Sequence, residues 1–161
     1  MEKLGSNLNK KIRVGILGGS FDPAHKGHFE ISKEAIRKFK LKKIIWAITA
    51  KNPLKKKSEI SISDRIIQCK KIIKSNNLIK VKFYEKIIKS NKTIDLINYL
   101  KKKTKFEIFF LMGADNLINF HKWHEWKIIA KNAKIIVFDR HGYKKKSLDS
   151  ISYKSLKGKN L

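Results

Sequence analysis

Ile12-Arg13-Val14-Gly15-Ile16-Leu17, followed by Gly18-Gly19-Ser20-Phe21-Asp22-Pro23-Ala24-His25-Lys26-Gly27-His28, decides the fold. The first six residues are mostly apolar, rich in β-branched side chains, and stop at a glycine pair, as a buried strand does. From His28 onward Ile31, Ala35, Ile36 and Phe39 recur at helical spacing, with Lys, Glu and Arg filling the other face. The stretch therefore predicts a strand-to-helix turn, the place where an open α/β sheet receives its ligand. Gly18 and Gly19 put no Cβ between the main chain and that ligand, and the amides opening the helix are free to meet an anion. His25 and His28 add ring N–H donors for phosphate oxygens. One histidine alone would read as a cap beside a plain Asp22-Pro23 turn; the whole run of 18–28 in this context favours an anion site.

Around this motif the chain is 161 residues long, the size of one domain, and can bury a core without disulfides or metal. Its 42% hydrophobic and 32% charged residues describe a soluble globular protein. No apolar run reaches the roughly 20 residues that cross a bilayer, and 1–11 lacks the apolar stretch of a secretory signal. The expected location is cytoplasmic, with no membrane partner. Cys69, the single cysteine, has no disulfide partner and lies in a helical pattern, so it reads as a core residue rather than a nucleophile. The net charge of +26 would attract nucleic acid or phosphorylated ligands. It is nearly all lysine and spread through every segment, however, whereas a nucleic-acid footprint clusters on one face. Coding bias accounts for it as readily as a binding surface, and an anionic nucleotide would still benefit from the field.

Four more strands follow in the pattern. Lys43–Thr49 is a buried strand ending at an Asn52-Pro53 turn. Ser61 or Ser63 caps a helix whose apolar stripe, Ile62, Ile66, Ile67 and Ile73, runs to about Lys74. Leu78–Tyr84 alternates as an outer strand, 85–92 reads as a loop, and Thr93 is a plausible N-cap of the next helix. Phe106–Met112 is a strand that delivers Gly113-Ala114-Asp115 to its carboxyl end. Asp115 there either accepts bonds from a nucleoside or caps the short helix 116–120. Trp123 and Trp126, three apart, pack as core residues by the ordinary reading. Lys134–Phe138 is the fifth strand, leaving through Asp139-Arg140-His141-Gly142-Tyr143. His121 and His124 have helical spacing but no third partner for zinc, so no metal site is expected.

The domain plan is a disordered extension over 1–11, one domain over 12–143, and a basic, weakly structured tail over 144–161. Strands alternating with helices predict an α/β doubly wound, Rossmann-like parallel five-stranded sheet with helices on both faces.

Gly18-Gly19-Ser20-Phe21-Asp22-Pro23-x-His25-x-Gly27-His28 resembles the H-x-G-H signature of the nucleotidyltransferase superfamily, and its doubled glycine and Phe-Asp-Pro are similar to the bacterial nicotinate-nucleotide adenylyltransferases. Leu111-Met112-Gly113-Ala114-Asp115 through Trp123 is a second stretch similar to the same family. The resemblance implies strand order 3-2-1-4-5, which sets the two motifs on either side of one crevice. It implies adenylyl transfer from ATP to nicotinate mononucleotide, giving deamido-NAD and pyrophosphate in NAD biosynthesis, with Mg²⁺ entering on the triphosphate. His25 and His28 would be catalytic. Gly18, Gly19, Ser20, Phe21, His25, His28, Gly113, Asp115 and Arg140 would bind ATP. Asn52, Lys55, Thr93, Asp95 and Trp123 would bind the mononucleotide, Thr93 and Asp95 near the pyridine carboxylate and Trp123 stacked on the electron-poor ring.

The sequence departs from the family at Leu54, where a histidine is often found, and at His141 in place of a proline. The family's Ile-Ser-Ser-Thr-x-Ile-Arg segment, which holds the triphosphate, aligns poorly with 151–157 and is expected beyond Leu161. Two other readings stay open at this level: a related nucleotidyltransferase with another phosphate-bearing acceptor, and a non-catalytic, basic nucleic-acid-binding protein. A homo-oligomer is compatible with the sequence, which does not set the oligomeric state.

Overall fold

The computed structural model describes residues 11–50, 60–159 and 161. Five strands, β1 (Ile12–Gly19), β2 (Lys43–Ile48), β3 (Ile79–Lys82), β4 (Phe106–Gly113) and β5 (Lys134–Phe138), form one sheet in the order β3-β2-β1-β4-β5. Every neighbouring pair is parallel. The expected doubly wound topology and strand order are both present.

The pleat explains how one sheet carries two cores. Successive side chains on a strand face opposite ways, so Val14, Ile16, Ile108 and Phe110 fall on one side, and Leu17, Phe109 and Leu111 on the other. Helices α1 (Lys26–Phe39) and α2 (Ile62–Ile73) cover the second face through Ala35, Cys69 and Ile73. On the first face lie α4 (Thr93–Lys103), α5 (Ala114–Asn119) and α6 (Trp126–Asn132), which bury Ile94, Ile97, Leu117 and Ile129. The short α3 (Glu85–Ile88) sits between β3 and α4. Strands buried on both faces need the continuous apolar runs seen in β2 and β4.

Three expectations change. A single turn of helix, α3, replaces part of the loop expected over 85–92. Thr93 is the first residue of α4 rather than its cap; Lys92 takes the cap position, without a side-chain bond. The region from Lys144 on is not a weakly structured tail, for it forms α7 (Lys144–Leu148) and α8 (Ile151–Leu156). Serine spacing does this. The Ser150 hydroxyl caps α8 by accepting the Tyr153 amide, and buried Ser152 accepts the His121 amide at 2.9 Å, tying α8 to the turn Phe120–Lys122. Leu156 completes the core there. The extension expected over 1–11 lies, except for Lys11, outside the described residues.

Candidate active site

The register brings the carboxyl ends of the three central strands together. Gly18 pairs with Ala47 and Gly19 with Ile48, while Leu17 pairs with Leu111, two residues short of Gly113. Thr49 donates its amide to the Gly19 carbonyl at 2.9 Å, extending the ladder into the turn. The two motifs legible in the sequence are thereby placed side by side at the ligand edge of the sheet.

The first motif is a folded unit in its own right. His25 is the N-cap of α1 and His28 its third residue, and the His25 amide donates to Nδ1 of His28 at 3.2 Å. Accepting that bond at Nδ1 leaves the proton of the neutral His28 ring on Nε2. The two rings lie 3.9 Å apart between centroids. A Cβ on Gly27 would stand 2.9 Å from the His25 ring, so the glycine between the histidines is what lets His25 fold back over its own helix start. Below them, Phe21 is buried with φ of 49°, a left-handed conformation uncommon for a bulky residue. Its ring stacks on Trp46 at 5.0 Å and meets His28 at 4.9 Å. Burying that ring offsets the strain and holds the turn. The Asp22-Pro23 peptide is cis.

Gly113 and Asp115 follow at the end of β4, beside β1. Asp115 pairs with Arg140 at 2.8 Å, so two of the expected nucleotide-binding residues bind each other, and Asp115 Oδ1 keeps an unused acceptor position. Asp115 is in the first turn of α5, where its negative charge also meets the positive end of the helix. A Cβ on Gly113 would collide with the Asp115 carboxylate and stand 3.3 Å from Arg140 Cδ. The pair closes only over a glycine.

Beside Gly18, at the carboxyl ends of β1 and β2, is a pocket of about 40 Å³, or about 390 Å³ with its open mouth. Gly18, Thr49, Tyr84, Glu85, Thr93 and Phe110 are among its lining residues. Thr93 is thus where a pocket ligand would touch it. Asp95 is not in the lining. It accepts a hydrogen bond from Ser90, whose oxygen also accepts the Lys92 amide, and so it braces the turn that leads into α4. Trp123 is half-buried and packs edge-on against Phe120 at 5.2 Å and Phe110 at 6.0 Å, reaching the pocket only through Phe110. Trp126 packs against Phe120 as a core residue would. Asn52 and Lys55 lie outside the described residues.

Two charged residues that sequence reasoning passed over stand beneath the site. Arg65 of α2 is 2% exposed, and its guanidinium donates to the carbonyls of Ser20 and Thr49, both at 2.9 Å, and of Ala50 at 3.2 Å. Glu85 accepts the Ala50 amide at 3.2 Å and leaves Oε1 unpartnered. Burial raises the Glu85 carboxyl above the usual range, against the opposing pull of the Ala50 amide and of Arg65. A long cation among the isoleucines of 62–73 looks like one more solvated charge; only the turn of the helix that brings it under the sheet reveals it. Cys69, one turn further along α2, is buried and its thiol is pushed up to about 11, chiefly by desolvation, so it stays protonated at neutral pH as expected of a core cysteine. Among the described residues no three of His, Cys, Asp and Glu gather around a common point, and no helix is long and apolar enough to cross a membrane.

Comparison with known proteins agrees with this geometry. The cytidylyltransferase-like family model matches residues 16–158, which include the two C-terminal helices. A probable nicotinate-nucleotide adenylyltransferase of Pelagibacter ubique is 60% identical over the whole of this chain and 90% of its own length. Another from Agrobacterium fabrum is 40% identical over 80% of this chain and 70% of its own. Among solved structures, the nicotinic acid mononucleotide adenylyltransferase of Plasmodium falciparum, complexed with NaAD, has the same fold with a TM-score of 0.72 at 20% identity, over 86% of this chain and 70% of that one. On the full-length identity and the family match together, the chain belongs to the cytidylyltransferase-like family and, within it, to the nicotinate-nucleotide adenylyltransferases.

Proposed function

We propose that this chain transfers the adenylyl group of ATP to nicotinate mononucleotide, giving deamido-NAD and pyrophosphate. The acceptor phosphate oxygen forms the new bond to the α-phosphorus, and the bond from that phosphorus to the bridging oxygen breaks, releasing pyrophosphate with the electron pair. That nucleophile is already anionic at neutral pH, so the reaction asks for alignment and charge neutralisation rather than a strong base. Mg²⁺ enters with the triphosphate as part of the substrate and keeps several of its waters.

The observation that carries this reading is that the His25–His28 helix start and the Gly113–Asp115 turn follow the ends of adjacent strands, β1 and β4, with a pocket opening beside Gly18 of β1. In it His25, the Nε2 proton of His28 and the amides near Ser20 and Phe21 face the phosphates. Gly18, Gly19, Gly113, Asp115 and Arg140 shape the nucleotide wall. Thr93 at the head of α4 receives the acceptor, helped by the positive end of an 11-residue helix, which suits a carboxylate. Trp123 reaches the pyridine ring by turning from its packing on Phe110, Asp95 supports Thr93 through the Ser90 turn, and Asn52 and Lys55 are assigned to the same mononucleotide. A reaction fed by ATP fits a cytoplasmic protein.

The test is to incubate the purified chain with ATP, Mg²⁺ and nicotinate mononucleotide and to measure pyrophosphate and dinucleotide. Both products are expected. Pyrophosphate only when a different phosphate-bearing acceptor is supplied would move the reading to a related nucleotidyltransferase, and no product with any acceptor would overturn it.

A further inference from the structure

We infer that Arg65 is a positioning residue that locks the phosphate-facing turn and the wall of the acceptor pocket into one frame. The inference rests on the adenylyl-transfer reading of the site. Arg65 sits in α2 and is not itself in the pocket lining, yet its guanidinium reaches the turn after β1 and the end of β2 at once. One nitrogen, NH1, donates to Ser20 in the turn after β1 and to Thr49 at the end of β2; NH2 donates to Ala50. Glu85, in the pocket wall, takes the amide of that same Ala50. The 49–50 peptide is therefore gripped on its carbonyl by α2 and on its amide by α3, while the carbonyls of Ala50 and Ser20 are held by the same cation.

The cost of this arrangement indicates that it does more than fill space. A guanidinium at 2% exposure has lost nearly all its water, its acceptors are main-chain carbonyls rather than a contacting carboxylate, and its Nε finds no partner. Replacing buried charged groups by well-packed apolar side chains of similar volume is often neutral or stabilising. What an apolar residue lacks is the planar fork of donors that fixes several carbonyls at set angles. Fixing the Ser20 carbonyl fixes the plane of the 20–21 peptide, whose Phe21 amide the proposed reaction assigns to the phosphates. Misplacing such groups by about 1 Å is enough to cost on the order of 100-fold in rate.

The experiment compares steady-state constants of Arg65→Lys, Arg65→Met, Glu85→Leu and Glu85→Gln in the full chain, with thermal melting of each. Arg65→Lys and Arg65→Met are expected to lower kcat by on the order of 100-fold, with KM for ATP changed only a few-fold, at a temperature where they remain folded. Glu85→Leu is expected to raise KM for the mononucleotide more than KM for ATP, and Glu85→Gln, which keeps an acceptor for the Ala50 amide, to recover most of that loss. A folded Arg65→Met with kcat within threefold of the parent overturns the inference. Should both Arg65 variants melt below the assay temperature, Glu85→Leu decides alone: unchanged constants overturn the frame, and a selective rise in acceptor KM supports it. Absence of product from the parent chain would instead strike the reading of function.

Discussion

Trp46 donates its indole N–H to the Ser32 hydroxyl at 2.8 Å, and Ser32 donates in turn to the His28 carbonyl at 2.7 Å. Trp46 and Ser32 are fully buried, so this is a continuous polar thread from the middle of β2, through α1, to the second histidine of the motif. Ser32→Ala leaves the indole N–H buried without an acceptor, which costs roughly 1–3 kcal/mol. Urea denaturation should show a loss in that range. Because the partner is what suffers, Trp46→Phe in the Ser32→Ala background should add less than Trp46→Phe alone, and simple additivity would contradict the thread.

The two histidines and Trp123 should fail in different ways. His25 and His28 face developing charge on the phosphates in the proposed reaction, whereas Trp123 meets the acceptor ring in ground state and transition state alike. His25→Ala and His28→Ala are expected to lower kcat by about 10²–10³-fold with modest changes in KM, and Trp123→Ala to raise acceptor KM with kcat nearly kept. Steady-state kinetics on the three variants checks this. Equal losses of affinity and no change in turnover would contradict the division of labour.

The sheet was legible in the sequence because its signal is local: buried parallel strands read as apolar runs, and each ended at a turn residue where the strand ends. Strand order came through the resemblance and not through periodicity, which carries no information on neighbours. The histidine motif and the Gly113 turn were visible for the same local reason. Arg65 and Glu85 were not, since their significance lies in burial, and burial is decided by how α2 and α3 rotate against the sheet. Composition misleads over the C-terminal region. Lys144–Lys146 look solvated, but the stability of α7 and α8 comes from buried Ser147, Ser150, Ser152 and Leu156, small or lone residues that make no stripe.

Glu85 should leave a signature in the pH dependence of stability. Its carboxyl is raised above 4.5 in the folded chain, first by desolvation, with the Ala50 amide and Arg65 opposing. A raised carboxyl contributes most to the fold below the unfolded value, and that contribution is lost as pH rises through the folded value. At neutral pH the ionised group is a net cost. Glu85→Gln keeps an acceptor for Ala50 without the charge, so its melting temperature should exceed that of the parent at pH 7, with the difference closing as pH falls below about 4.5. A lower melting temperature for the variant at pH 7 would mean that attraction to Arg65 outweighs desolvation.

Gly113 offers the sharpest test of the proposed nucleotide wall. Its backbone has no need of glycine, since φ is −76° and ψ 159°, an extended conformation open to any residue. What excludes a side chain is the pair in front of it, for a Cβ would occupy the space of the Asp115 carboxylate and crowd Arg140. Asp115 and Arg140 are both partly exposed at the side chain, 26% and 55%, so they can swing aside at little cost to the fold. Gly113→Ala is therefore expected to change stability by less than about 1 kcal/mol while moving both residues out of the proposed nucleotide wall, and to raise KM for ATP well above the change in acceptor KM. If Asp115 and Arg140 serve only to pair with each other, ATP KM will stay at the parental value, and their place in the proposed nucleotide wall is refuted.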